Sequence, residues 1–254
     1  MMDFFSQHWT LAIDWVSLHA VTPVVNALNI AEAAGDPREI AAGILIALLQ
    51  LFLIGGVMRP LESLLPAERW ADRRHTTVDR NYTLLMLLGL FPLFSFLILM
   101  PIAHMLGGGP ATEEASGLKA WLPWFEDHPY MLFAVYYVIY DLTYYWMHRA
   151  QHVIPWWWAM HSMHHSQRQM SCWSNDRSNY LDGMLQSIVL AVVGIAMGVE
   201  PSQFALLGLL SELMQNFSHA NVALRFGALG KLGERIFVGP RFHRNHHMLR
   251  DADR

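Results

Sequence analysis

Residues 130–166 read YMLFAVYYVIYDLTYYWMHRAQHVIPWWWAMHSMHHS, and two patterns meet in that stretch. Its first half, residues 130–147, is apolar and aromatic with one charge, Asp141, as a bilayer-crossing helix would be. Its second half delivers five histidines in two groups, His148 with His152, then His161 with His164 and His165. A greasy helix that runs directly into histidines decides both the fold class and the chemistry.

The apolar signal recurs on both sides. Residues 40–58 carry no charge and are bracketed by Glu39 and Arg59, and residues 82–105 lie in an uncharged run between Arg80 and Glu113. Residues 183–199 are uncharged, and a further apolar stretch opens at Pro201 and ends near His219. Only Glu200 and Pro201 separate these last two segments, which reads as a tight helical hairpin. The first 30 residues hold apolar positions at helical spacing, interrupted by His8, Asp14 and His19, which fits an interfacial helix better than a span. No basic n-region marks a cleavable signal.

Loop charges set the orientation. Arg59, Arg69, Arg73, Arg74 and Arg80 lie between the first two spans, whereas the next loop has Lys119 against Glu113, Glu114, Glu126 and Asp127. The positive-inside rule puts the first loop in the cytoplasm, and alternation puts residues 148–182 and 220–254 there too. Of the chain's 17 Lys and Arg residues, only Arg38 and Lys119 then face the other side. The expectation is an all-α integral membrane bundle of about four to five membrane helices, with a cytoplasmic helical cap that carries the histidines. Residues 1–129 would form the interfacial helix and first membrane hairpin, and residues 130–254 the catalytic region.

Composition agrees and excludes alternatives. The 254 residues are 54% hydrophobic and 15% charged, where a soluble domain has roughly 25% charged residues. The competing reading is a soluble helical protein with a large buried core. One cysteine excludes a disulfide framework or a thiolate metal cage, and a net charge of −4 gives no basic field for nucleic acid.

Nine of the 14 histidines follow residue 147, and eight of them fall in three groups, the third being His243, His246 and His247. Residues at i, i+3 and i+4 share a helix face, so each group can aim its imidazoles at one point. Eight imidazoles exceed the three or four that one zinc takes, so the count points to two metals. Imidazole suits Fe, Zn, Cu and Ni alike. Acidic neighbours are few (Asp141, Asp176, Asp182), which argues against a carboxylate-rich di-iron bundle.

The run from Asp141 through His148 and His152 to Trp158-Ala-Met-His161-Ser-Met-His164-His165-Ser166, with His243, His246 and His247 as a third box, resembles the fatty acid hydroxylase/sterol desaturase superfamily. The resemblance covers about residues 130–250. It implies an oxidoreductase with two irons and O₂ as co-substrate that hydroxylates or desaturates a lipid C–H bond. It also implies His219, in the Asn216-Phe-Ser-His219 stretch, as an additional ligand. Two departures stand out. Arg177-Ser-Asn179 replaces the family's Arg-x-His, and the chain ends at Arg254, short of the family's usual Asn-Tyr-Gly continuation, which reads as a fragment or truncation.

Asp141, an acid within a span, is the expected partner of an imidazole N–H, with Asp176 and Asp182 as weaker candidates. No GxGxxG and no cysteine set for an iron–sulfur centre is present, so electrons come from a separate protein or reductase docking on the basic cytoplasmic face, with Arg244 and Arg250 the charges to test. The membrane would be the inner membrane of a bacterium or the endoplasmic reticulum of a eukaryote. Trp156, Trp157 and Trp158 read as an interfacial belt. His8, His19, His75, His104 and His128 lie outside ligand spacing. A metal transporter, a bis-histidine haem carrier and an inactive scaffold are the alternatives; the first two call for histidines distributed along the spans rather than gathered at one end.

Overall fold

The computed structural model describes residues 2–105, 117–224, 233 and 236–248, and among them the secondary structure is helical, with one isolated antiparallel bridge between Pro66 and Val222. The chain divides at 52/53 into two compact units. In the first, α1 (Met2–Val16) exposes Trp9, Leu11 and Trp15, while Val21, Val25, Ala34 and Ala41 form a small core.

Among the described residues, three helices are long and apolar enough to cross a membrane: α2 (Pro37–Leu64), α3 (Arg74–Leu99) and a later one, Tyr180–Met197. In the first two, 17% and 12% of the apolar window is buried, so Phe52, Val57, Leu88 and Leu97 point outward, as the lipid-facing side of a span does. Both widen into π-type turns at Ile54–Met58, Met86–Leu90 and Ser95–Leu99. Each widened turn precedes a proline, Pro60, Pro92 and Pro101 respectively. A proline has no N–H to donate and its ring collides with the carbonyl four residues back, so the helix opens there.

The remaining predicted segments are helices of 25 and 19 residues, α4 (Pro129–Val153) and α7 (Pro201–His219), which are not among the three. α4 does not stop at Met147 but carries its aromatic face on through His148 and His152. Ile154 is extended, and Pro155 opens α5 (Pro155–His161), so the chain turns sharply between the first two histidine groups.

The expected hairpin is formed by α6 (Tyr180–Met197) and α7. Gly198 takes a left-handed conformation (φ 73°) as the αL end of α6, and Val199 N–H donates to Gly194 O at 3.0 Å. Glu200 and Gln203 then form a capping box that starts α7. Gly194 allows the two helices to approach, since a Cβ there would lie 2.8 Å from the Phe204 ring. Leu132, Tyr136, Tyr140, Met147, Trp157, Leu190 and Leu207 fill the space between α4, α5, α6 and α7. That core holds the histidine-bearing end in place.

Candidate metal centre

Four short pieces of chain supply the imidazoles. His148 and His152 are one turn apart near the end of α4. His161 ends α5, and His164 and His165 sit in the following 3₁₀ turn, all three buried. His219 is the last residue of α7, and α8 (Pro240–His247) carries His243, His246 and His247.

The nine rings converge. His148, His152, His165 and His246 form one group, and His164, His219, His243 and His247 another; within each, the candidate ligand nitrogens all lie within 4.8 Å of one another. The boxes interleave. The second sends His165 to one group and His164 to the other, and the third divides His246 from His243 and His247. The two groups touch where the His165 and His247 rings stack at 4.1 Å.

His161 belongs to neither group but lies between them. Its ring centre is 4.9 Å from that of His148 and 5.1 Å from that of His164. Its Nδ1–H donates to Asp182 Oδ2 at 3.0 Å, and the same carboxylate accepts Trp157 Nε1 and Gln151 Nε2, each at 2.7 Å on Oδ1. That contact fixes the tautomer and leaves Nε2 with a lone pair, buried and without a partner. Asp182 is therefore the carboxylate that orients a ring. Asp141, seven residues before His148, is about 10 Å away along the helix axis and is exposed, so it does not take that part. Asp176 accepts Thr83 Oγ1 at 2.6 Å instead.

The nitrogens themselves test whether a metal fits. In the second group, His219 Nε2 lies 3.0 Å from His164 Nε2 and 2.9 Å from His243 Nε2, which is 3.1 Å from His247 Nε2. His219 Nδ1–H donates to Gln215 O at 2.8 Å, so its Nε2 carries only a lone pair. Neutral rings offer one N–H each, so His243 cannot both donate to His219 and accept from His247 through the same atom. In the first group, His148 Nε2 is 2.9 Å from His246 Nε2, while His148 Nδ1, His152 Nε2 and His165 Nε2 are buried and unpaired. Metal–imidazole bonds of about 2.0–2.1 Å hold neighbouring nitrogens roughly 3.0–3.4 Å apart. The spacing and the orphaned nitrogens both fit a metal ion in each group.

Electrostatics agree. Burial, then the neighbouring rings, push His148, His164 and His243 well below the ordinary imidazole range. The same causes take His152 down to about 4 and His165 to about 2. Neutral imidazole is the metal-binding form.

Aromatic side chains wall the site. Trp158 packs over His152 and His165, with centroids 5.1 and 5.4 Å away, and Tyr144 stacks on His148 at 6.3 Å. Of the three tryptophans expected at a membrane interface, only Trp156 is exposed; Trp157 is buried on Asp182. Asn179, in the family's Arg-x-His position, caps α6 by accepting Leu181 N–H at 3.0 Å. Its neighbour Arg177 pairs with Asp79 at 3.2 Å. Arg244 is not a free surface charge, because it pairs with Glu68; Arg250 and the His104 side chain lie outside the described residues. His19 and His128 bond to carbonyls on their own helical turns.

The fold and the site thus define a membrane-helical protein with a histidine centre suited to two metals. The fatty acid hydroxylase family model matches residues 133–253, the region that holds all nine histidines. That match supports, for this region, the fatty acid hydroxylase/sterol desaturase superfamily that the histidine boxes resemble. It is 31% identical over 129 residues to an alkylglycerol monooxygenase of Caenorhabditis elegans, covering 50% of this chain and 23% of that protein. It is 30% identical over 126 residues to the alkylglycerol monooxygenase of Homo sapiens, covering 50% of this chain and 26% of that one. The matched segment is thus about a quarter of each relative's length. No solved structure matches.

Proposed function

We propose that the chain is a membrane-bound di-iron oxygenase that uses O₂ to hydroxylate or desaturate a lipid C–H bond. The observation that carries this is the pair of four-histidine groups, whose nitrogens are spaced for ions and cannot satisfy one another as neutral rings. His148, His152, His165 and His246 would hold one iron and His164, His219, His243 and His247 the other. His161 would present Nε2 between them. Bound iron supplies the activation of O₂, which no amino-acid side chain provides.

The chain's own residues do the rest. Asp182 keeps the proton of His161 on Nδ1, and the Gln215 carbonyl does the same for His219, so both rings offer Nε2 without reorganising. Trp158 and Tyr144 cover imidazoles of the first group and exclude water there. The outward-facing apolar surfaces of α2 and α3 keep the centre at a membrane, where a lipid chain can reach it. The charge asymmetry of the loops supports a cytoplasmic centre, served by a separate electron-transfer protein or reductase. The names of the two relatives make an alkylglycerol ether lipid the first substrate to try.

The test is lipid analysis of a host making the protein beside one making the His164→Ala, His165→Ala variant. The reading predicts a lipid that gains one oxygen atom, or loses two hydrogens, only with the unaltered chain. Identical lipid profiles, ether lipids supplied, would count against it.

A further inference from the structure

The third histidine helix needs support from elsewhere. α8 has eight residues, and a helix that short does not hold itself together in water. It nonetheless supplies His246 to one group and His243 and His247 to the other. Its anchor comes from the loop between the first two spans, remote in sequence.

Residues 65–68 of that loop run beside 221–223, just past His219. Ala223 N–H donates to Leu65 O at 2.8 Å and Ala67 N–H to Asn221 O at 3.3 Å, around the Pro66–Val222 bridge. The fully buried Asn221 side chain then holds the Glu68 backbone from both sides. Its Oδ1 accepts Glu68 N–H at 2.9 Å, and its Nδ2 donates to Glu68 O at 2.8 Å. Asn221 is itself fixed by the buried Glu62, whose Oε1 accepts Asn221 N–H at 2.8 Å and Cys172 N–H at 2.7 Å. From this fixed backbone the Glu68 carboxylate reaches α8 and pairs with the Arg244 guanidinium. Another arm of that guanidinium donates to Met170 O at 3.3 Å, and Trp70 Nε1–H steadies Glu68 from the other side at 3.0 Å.

We propose that Glu68 and Arg244 form a latch in which Glu68 is the positioning residue that sets α8 against both histidine groups. This rests on the two-iron reading above. The Arg244 side chain is 12% exposed, and the one carboxylate paired with it among the described residues is that of Glu68. Glu68 is itself 58% exposed, so the pair is worth less than a buried one, and removing its charge leaves Met170 O as the remaining partner of Arg244 among the described residues. Because Arg244 lies between His243 and His246 in the chain, a shift there misplaces ligands of both groups. A pair of this kind couples the loop between the first two spans to iron binding, and Glu68 touches none of the nine rings.

The experiment uses the full chain in detergent or nanodiscs, with Glu68→Gln, Arg244→Gln and the double variant. Iron is titrated into each, and amide hydrogen exchange of residues 240–247 is followed in the metal-free protein. Each single variant is expected to weaken iron binding on the order of 10-fold and to speed exchange in α8, with exchange in α6 unchanged. The double variant is expected to be no worse than the poorer single one, as one shared contact requires. Wild-type exchange in both single variants, or losses that multiply in the double variant, would overturn the latch. If the unaltered chain binds no iron, the two-iron reading fails, and the exchange data still decide whether the latch exists.

Discussion

The two histidine groups are built differently. In the group of His164, His219, His243 and His247, nitrogens follow one another at 2.9 to 3.1 Å, and one ring is tied to its own helix through the Gln215 carbonyl. In the group of His148, His152, His165 and His246, one such contact exists, at 2.9 Å, and three ring nitrogens are left buried and unpaired, against one, His247 Nδ1, in the other. The first of these arrangements is pre-formed and the second is looser, walled by Trp158 and Tyr144 rather than by hydrogen bonds. A tight group would hold an ion firmly, and a looser one would leave its ligands freer to shift. The pair is bridged by neighbours in sequence, since His164 and His165 point to different groups.

That bridge gives the largest expected effect. The His164→Ala, His165→Ala variant removes a ligand from each group, and both irons and all product are expected to disappear. The single variants sharpen the comparison: His165→Ala should lose one iron and keep the tight group's, whereas His164→Ala should release the more firmly held one. Equal release from both, measured by iron remaining after graded chelation, would break the distinction between a tight and a loose group.

Next comes Asp182. Asp182→Ala orphans three buried donors, on Gln151, Trp157 and His161, and is expected to cost about 3 kcal/mol of stability. Asp182→Asn keeps the shape but loses the charge, and a fall in iron affinity of roughly 10- to 100-fold is expected. Thermal unfolding and iron titration of the two variants separate these losses. An unaltered affinity in Asp182→Asn would show that His161 needs no fixed tautomer.

A smaller effect is expected at the hairpin. Gly194→Ala puts a methyl group 2.8 Å from Phe204, so α6 and α7 must part or the ring must turn, for about 1–3 kcal/mol. The melting temperature should fall while iron content holds. Smallest is Asp141→Asn, which should change turnover by less than about twofold, given about 10 Å of helix between it and His148. A large loss there would return to Asp141 the part now given to Asp182.

Much of this was legible in the sequence, for reasons visible in particular residues. Spacing of i, i+3 and i+4 marks helical faces, so His148 with His152 and His243 with His247 group on sequence alone. Glu200 and Pro201, the two residues that separate the apolar segments, made the hairpin legible. The assignment of each histidine to a group was not legible, because it depends on how α8 lies across the 3₁₀ turn, which is tertiary packing. The part of Asp182 is not legible for the same reason: it is 21 residues from His161, and only the fold of residues 162–181 brings them to 3.0 Å. Asp141 drew attention as an acid in a span, a rule that marks cost but not direction. Arg244 read as a surface charge because its partner Glu68 is 176 positions away.

The central claim is two ions in two histidine groups. The most direct measurement is the iron content of the purified chain after anaerobic loading and removal of excess metal. Two irons per chain are expected, falling to none in the His164→Ala, His165→Ala variant. A single iron per chain, or iron that survives loss of both histidines, would contradict it.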